Sequence, residues 1–224
     1  MSTHPAPALP RQDHRTLAYN LAGIGALVLL LAVGAAYVID KMGREARTPI
    51  PRLDDGDPIV QTISGKELTI PTAWFRYGEQ IRNGFTDQID LRLQFELGGA
   101  VSQRVDVTLL PRGRARTSAS LLDRVYLHQF SDETVGDVPG LIGKPMTSSG
   151  GFAGETVWYD AISPNPFVAK CIAAVNADGT PQCVRTVYLP SGIAAVFTFD
   201  ATLLQWWRQF DAEMERWLTV IGAV

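Results

Sequence analysis

The sequence is poor in the residues that most often carry chemistry. It has two cysteines and three histidines in 224 residues. Two cysteines exclude a disulfide-dense miniprotein and a zinc-ribbon array. His4 and His14 precede the first apolar run, which leaves His128 alone in the part that reads as folded. Two cysteines and one histidine do not make an ordinary zinc site, so neither a metal nor a cofactor is expected. An excess of one charge is also missing. Lys plus Arg is 20 and Asp plus Glu is 23, a formal net charge of -3. That balance excludes a strongly basic nucleic-acid binder. With 46% hydrophobic and 19% charged residues, intrinsic disorder is excluded too. No G-x-G-x-x-G, P-loop or G-x-S-x-G pattern occurs.

What the chain does have is one long apolar run. Leu17 to Ile39 reads LAYNLAGIGALVLLLAVGAAYVI, and Asn20 is its only strongly polar member. As a helix it would reach roughly 34 Å, enough for a bilayer core of about 30 Å. A transmembrane helix over 17-39 is the favoured reading. A cleaved signal peptide, with Gly34, Ala35 and Ala36 as the cleavage region, and a buried soluble helix are the alternatives. Flanking charge conflicts with the cysteines over orientation. Arg11 and Arg15 precede the run, and Lys41, Arg44, Arg47 and Arg52 follow it. Counted alone this favours a cytoplasmic C-terminus, but long domains translocate largely regardless of such charges. The expected organisation is a cytoplasmic tail (1-16), a transmembrane helix (17-39), a juxtamembrane linker (40-58) and a periplasmic α+β domain (59-224).

The linker ends in TPIPRLDDGDP, rich in proline and aspartate. Strand signals dominate beyond it. Ile89, Leu91, Leu93, Phe95 and Leu97 alternate with polar residues, and Val105, Val107 and Leu109 do the same after Gly98-Gly99. Period two of this kind marks half-buried strands, here an antiparallel hairpin. Further strands are expected over 59-63, 67-70, 156-162, 167-175, 183-189 and 193-199. A helix is expected from Thr117 to Phe130, with a capping box from Ser120 to Asp123. A second begins near Leu203, where Leu203, Trp207, Phe210, Met214, Trp217, Leu218 and Ile221 form one apolar stripe. The fold class is therefore α+β, a mostly antiparallel sheet packed with helices, including the amphipathic C-terminal one.

Cys171 and Cys183 fall symmetrically about the turn NADGTP, within a residue or two of its centre. A hairpin would place them opposite or nearly opposite, within disulfide reach. A disulfide fits an oxidising compartment. Reduced core cysteines are the alternative, and a redox or metal role lacks a C-x-x-C.

Catalytic signals are weak. A triad would have to use His128. Paired-carboxylate chemistry would have to bring Glu79, Asp87 and Asp90 together, while Glu155 and Asp160 would point to opposite faces of one strand. No catalytic residue is assigned. Arg112, Arg114 and Arg116, just before the helix at Thr117, are candidates for binding an anion or an acidic partner. The bland reading is a solvated basic turn. Trp206, beside the apolar stripe, is the candidate for a partner surface.

A single N-terminal span, the GETVWYD strand, the FVAKC…C hairpin and the closing LLQWWRQFDAEMERWL helix together resemble uncharacterised single-pass membrane-anchored proteins of Gram-negative bacteria. The resemblance covers mainly Leu141 to Leu218 and implies an inner-membrane, periplasm-facing setting. It carries no activity and no site residues. The expected function is that of a binding or accessory protein of an envelope or membrane complex, with a protein partner in the inner membrane or periplasm. An envelope hydrolase acting on glycan or peptide, and a periplasmic ligand sensor or carrier, are the alternatives.

Overall fold

The computed structural model describes residues 23-25, 27-36, 58-97, 101-148, 151-174 and 179-224. Contacts divide the chain into Met1–Thr48 and Pro49–Val224. In the first unit, residues 23-25 and 27-36 are helical and their side chains are exposed. The rest of the expected 17-39 span lies outside the described residues. Among the described residues, no helix is long and apolar enough to cross a membrane.

The second unit opens with a hairpin of β1 (Pro58–Ile63) and β2 (Lys66–Pro71). Its turn residues Ser64 and Gly65 both have positive φ, at 53° and 78°. Two such residues make the turn whose twist matches that of the flanking strands. A two-residue strand β3 (Gly84–Phe85) pairs in parallel with β1. The main sheet has seven strands, β4 (Ile89–Leu97), β5 (Val101–Pro111), β6 (Ile142–Pro145), β7 (Glu155–Tyr159), β8 (Val168–Ile172), β9 (Gln182–Tyr188) and β10 (Ile193–Asp200). Their order is β4-β5-β10-β9-β8-β7-β6. Every pairing in it is antiparallel. The alternating residues of β4 and β5 pair as their period implied, with Leu91 opposite Val107 and Leu93 opposite Val105.

Two short helices complete the unit, α1 (Ser118–Arg124) and α2 (Trp207–Val220). The expected Thr117–Phe130 helix is interrupted. Its N-cap is Thr117, whose hydroxyl accepts from the Ser120 N–H, not Ser120 itself. Val125 leaves helical geometry, and Tyr126–Gln129 continues as a 3-10 turn that buries Tyr126. The C-terminal stripe also begins as a 3-10 turn, Ala201–Trp206, capped by the Asp200 carboxylate. The strand expected to reach Ile162 stops at Tyr159. There Asp160 turns the chain by accepting from the Ile162 N–H through its side chain.

Alternation divides the main sheet into two faces. The inner face carries Leu91, Leu93, Val105, Val107, Cys171, Cys183, Phe197 and Phe199, all in one buried cluster. The α2 stripe of Phe210, Met214, Trp217 and Leu218 covers it, together with Ile63, Leu68 and Ile70 of the first hairpin. Phe210 sits 4.6 Å from Phe199 and 5.6 Å from Phe197, ring to ring. Trp217 bridges to Trp74 at 4.8 Å. Rings packed at these spacings and tilts add to the area they remove from water. Arg185, nearly buried, ties β9 to α2. Its guanidinium donates to both Asp211 carboxylate oxygens, at 2.9 and 2.6 Å, and lies over the Phe167 ring. Removing the carboxylate would strand a buried charge, so this pair fixes the helix position more than it adds net stability.

Candidate binding surface

The outer face of the main sheet is covered over one half. There α1 and the following turn bury Leu122, Tyr126, Met146, Val157 and Val168 in a smaller cluster. Ser118 secures the border by accepting from the Thr186 N–H. Tyr188 donates its hydroxyl proton to the Ala115 carbonyl.

The other half, over β4, β5, β10 and β9, is open and polar. The strand registers set its side chains in cross-strand rows. One row runs Asp90, Thr108, Val196 and Thr186. The next runs Arg92, Asp106, Thr198 and Val184. Beyond them Gln94 opposes Arg104, and Asp200 opposes Gln182. A cleft of about 560 Å³ lies over the far end of these rows, from Asp106 and Thr198 to Gln94, Arg104, Gln182 and Asp200, and also touches Ser102, Thr180 and Thr202. Its lining offers amides, hydroxyls and both signs of charge.

The charges are held in place. Arg92 grips Asp106 through two hydrogen bonds, at 2.8 and 3.3 Å, and Arg76 reaches the same carboxylate at 3.2 Å. The hydrogen bond to Asp106 raises the Arg92 pKa further above its ordinary value. Burial alone would raise the Asp200 carboxyl, but bonds from Thr180 and Thr202 outweigh it and hold the pKa low. Asp90 behaves alike. Burial pushes it up, and bonds from Thr108, Gln88 and Gln80 with the Arg76 charge bring it below the usual carboxylate range. A carboxylate held ionised in this way is a poor general acid near neutral pH. Arg104 is exposed and makes no ion pair among the described residues, which leaves its five donors available to a ligand.

The residues singled out from sequence fall elsewhere. Cys171 and Cys183 face each other across β8 and β9 and form a disulfide, with Cα atoms 3.9 Å apart. The three arginines do not converge. Arg112 stacks over Tyr188 at 4.3 Å, and Arg114 binds the Asp87 carboxylate and carbonyl. Arg116 is exposed. Trp206 is 36% exposed, whereas Trp207 donates from its indole N–H to the Pro139 carbonyl and packs on Phe167. His128 is exposed on the 3-10 turn. Among the described residues, no group of three or more His, Cys, Asp or Glu could hold a metal.

No family model and no curated protein matches the sequence. One solved structure has a similar fold. It is an immunity protein of the Stenotrophomonas maltophilia type IV secretion system. The TM-score is 0.50 and the identity 10%, over 77% of this chain and 98% of that one. At that identity the likeness concerns the fold.

Proposed function

We propose that this chain is a single-pass inner-membrane protein whose domain lies in the periplasm and binds a protein partner there, in the protective or accessory manner of an immunity protein. The open polar half of the outer sheet face carries this reading. It is broad, it presents fixed hydrogen-bonding groups, and the exposed Arg104 suits a partner that brings a carboxylate. The Cys171–Cys183 bond supports an oxidising compartment. The fold shared with a secretion-system immunity protein supports a role exercised through binding. Leu17 to Ile39 supplies the anchor, as in the uncharacterised single-pass proteins that the sequence resembles.

Crosslinking in native membranes, capture through an N-terminal tag and identification of the neighbours test the reading. One envelope or secreted protein should be enriched. Arg104→Glu and Thr198→Arg should each weaken its capture by about tenfold or more, as central interface changes do. Arg124→Ala, exposed on α1 and away from the groove, should leave capture unchanged. Equal capture by wild type and both groove variants would move the binding surface elsewhere.

A further inference from the structure

The segment between the first hairpin and β4 is fixed by polar contacts yet presents apolar side chains to solvent. Phe85 is 89% exposed, and Ile81, Val60 and Tyr77 are 42%, 41% and 39% exposed. They lie close together. Phe85 pairs with Thr62 of β1, and the Asn83 side chain accepts from the Val60 N–H. The Gln61 amide, itself buried, donates to the carbonyls on either side of Ile81, those of Gln80 and Arg82. Gln80 in turn accepts from the Asp90 N–H and donates to its carboxylate. Thr86 donates its N–H to the Thr62 carbonyl. A loop pinned at this many points does not expose a phenylalanine for want of structure. It holds the side chain out.

We propose that Phe85, Ile81, Val60 and Tyr77 dock on the surface of the bilayer in which the chain is anchored. The inference rests on the anchor reading of 17-39. Eighteen residues, 40-57, separate Ile39 from β1. At no more than about 3.5 Å per residue, a stretch of that length keeps the domain tethered within reach of the bilayer that holds the span. Tyrosine, phenylalanine and aliphatic side chains beside an exposed arginine, here Arg82, match the mixture that settles at a membrane interface. Four side chains are too few for a stable protein interface, which needs roughly 1,200 Å² or more in total. A surface already tethered to its target needs far less, because the linker sets a high effective concentration. The domain is mildly acidic, with 14 Lys and Arg against 17 Asp and Glu from Ile59 onward. Docking is therefore apolar, not a response to anionic lipid.

The test uses the full chain in phosphatidylcholine and phosphatidylethanolamine vesicles. Both native cysteines are in the disulfide, so one introduced cysteine can carry an environment-sensitive dye. Phe85→Cys and Ile81→Cys report the patch. Ile162→Cys, at a residue 93% exposed after β7, is the control. Dye at 85 and 81 should shift to the blue and be quenched by brominated lipids, while dye at 162 stays in water. Phe85→Glu should abolish the shift at 81, with an unchanged circular dichroism spectrum. Equal, water-like emission at 81, 85 and 162 overturns the docking, as does a shift at 85 only when a partner protein is added. Vesicle flotation separates the two readings. A chain that floats with dye 85 in water fails the docking alone, and a chain that does not float overturns both.

Discussion

Single residues in this domain are legible as answers to specific physical demands. Asp90 is nearly buried and would be costly as a lone charge, so Thr108, Gln88 and Gln80 surround it with donors. Because its pKa in the fold is depressed, the stability it contributes is complete above the unfolded value of about 3.9 and is lost as pH falls through the lower folded value. Asp200 acts in the same direction. Urea titrations at falling pH should show stability dropping below about pH 4, and Asp90→Asn should flatten that acid limb. Gly65 answers a different demand. Nothing lies within 4 Å of where its Cβ would be, and its φ is +78°. Gly65→Ala should therefore cost about 1-2 kcal/mol through backbone conformation alone. Chemical denaturation would read that loss without a change in the inner core.

At the scale of elements, the disulfide joins β8 to β9 where both strands bury one face. Its cysteines are 12 residues apart, so the loop it closes is short. Replacing both with serine or alanine should cost about 3 kcal/mol in the chain-entropy model. The midpoint of urea unfolding, compared with and without reductant, checks this. That pairing was readable from sequence because a hairpin has a centre, and symmetry about it predicts register. The alternation of β4 and β5 and the α2 stripe were readable for the same reason, since each repeats a period within one segment. Ile142–Pro145 was not. Its four residues carry no apolar alternation, and only pairing with β7 makes it a strand. The Thr117–Phe130 helix was half right, because burial of Tyr126 in the smaller cluster overrides local helical preference. The groove was invisible. Gln94 and Arg104 share one hairpin, Gln182 and Thr198 lie on strands much later in the chain, and only the pairing of β5 with β10 brings the two sets together. The directions taken by the arginines of PRGRAR were hidden for the converse reason. They are neighbours in sequence, but a 3-10 turn sends Arg112 and Arg114 to different partners.

At the scale of the whole domain, one sheet serves two purposes. Its inner face is sealed by α2 and the first hairpin, and half of its outer face is left uncovered by the smaller cluster. The seal includes residues at the far end of the sequence. Ile221 and Ala223 are buried, the Ile221 carbonyl accepts from the Thr69 N–H of β2, and the Ala223 carbonyl accepts from Ser191. Deleting residues 221-224 should lower stability by several kcal/mol, since the buried Ile221 and Ala223 side chains and the hydrogen bonds to their carbonyls are lost. Thermal melting of the truncated chain is the measurement. The same arrangement governs the order of folding. β5 waits for β10, some 90 residues later, and the seat of β2 waits for Ile221. Contacts so distant along the chain are slow to form. A chain threaded across a membrane from its N-terminal side would hold β4 and β5 apolar and unsealed until its last helix emerged. During that interval it would depend on chaperones that shield exposed strands.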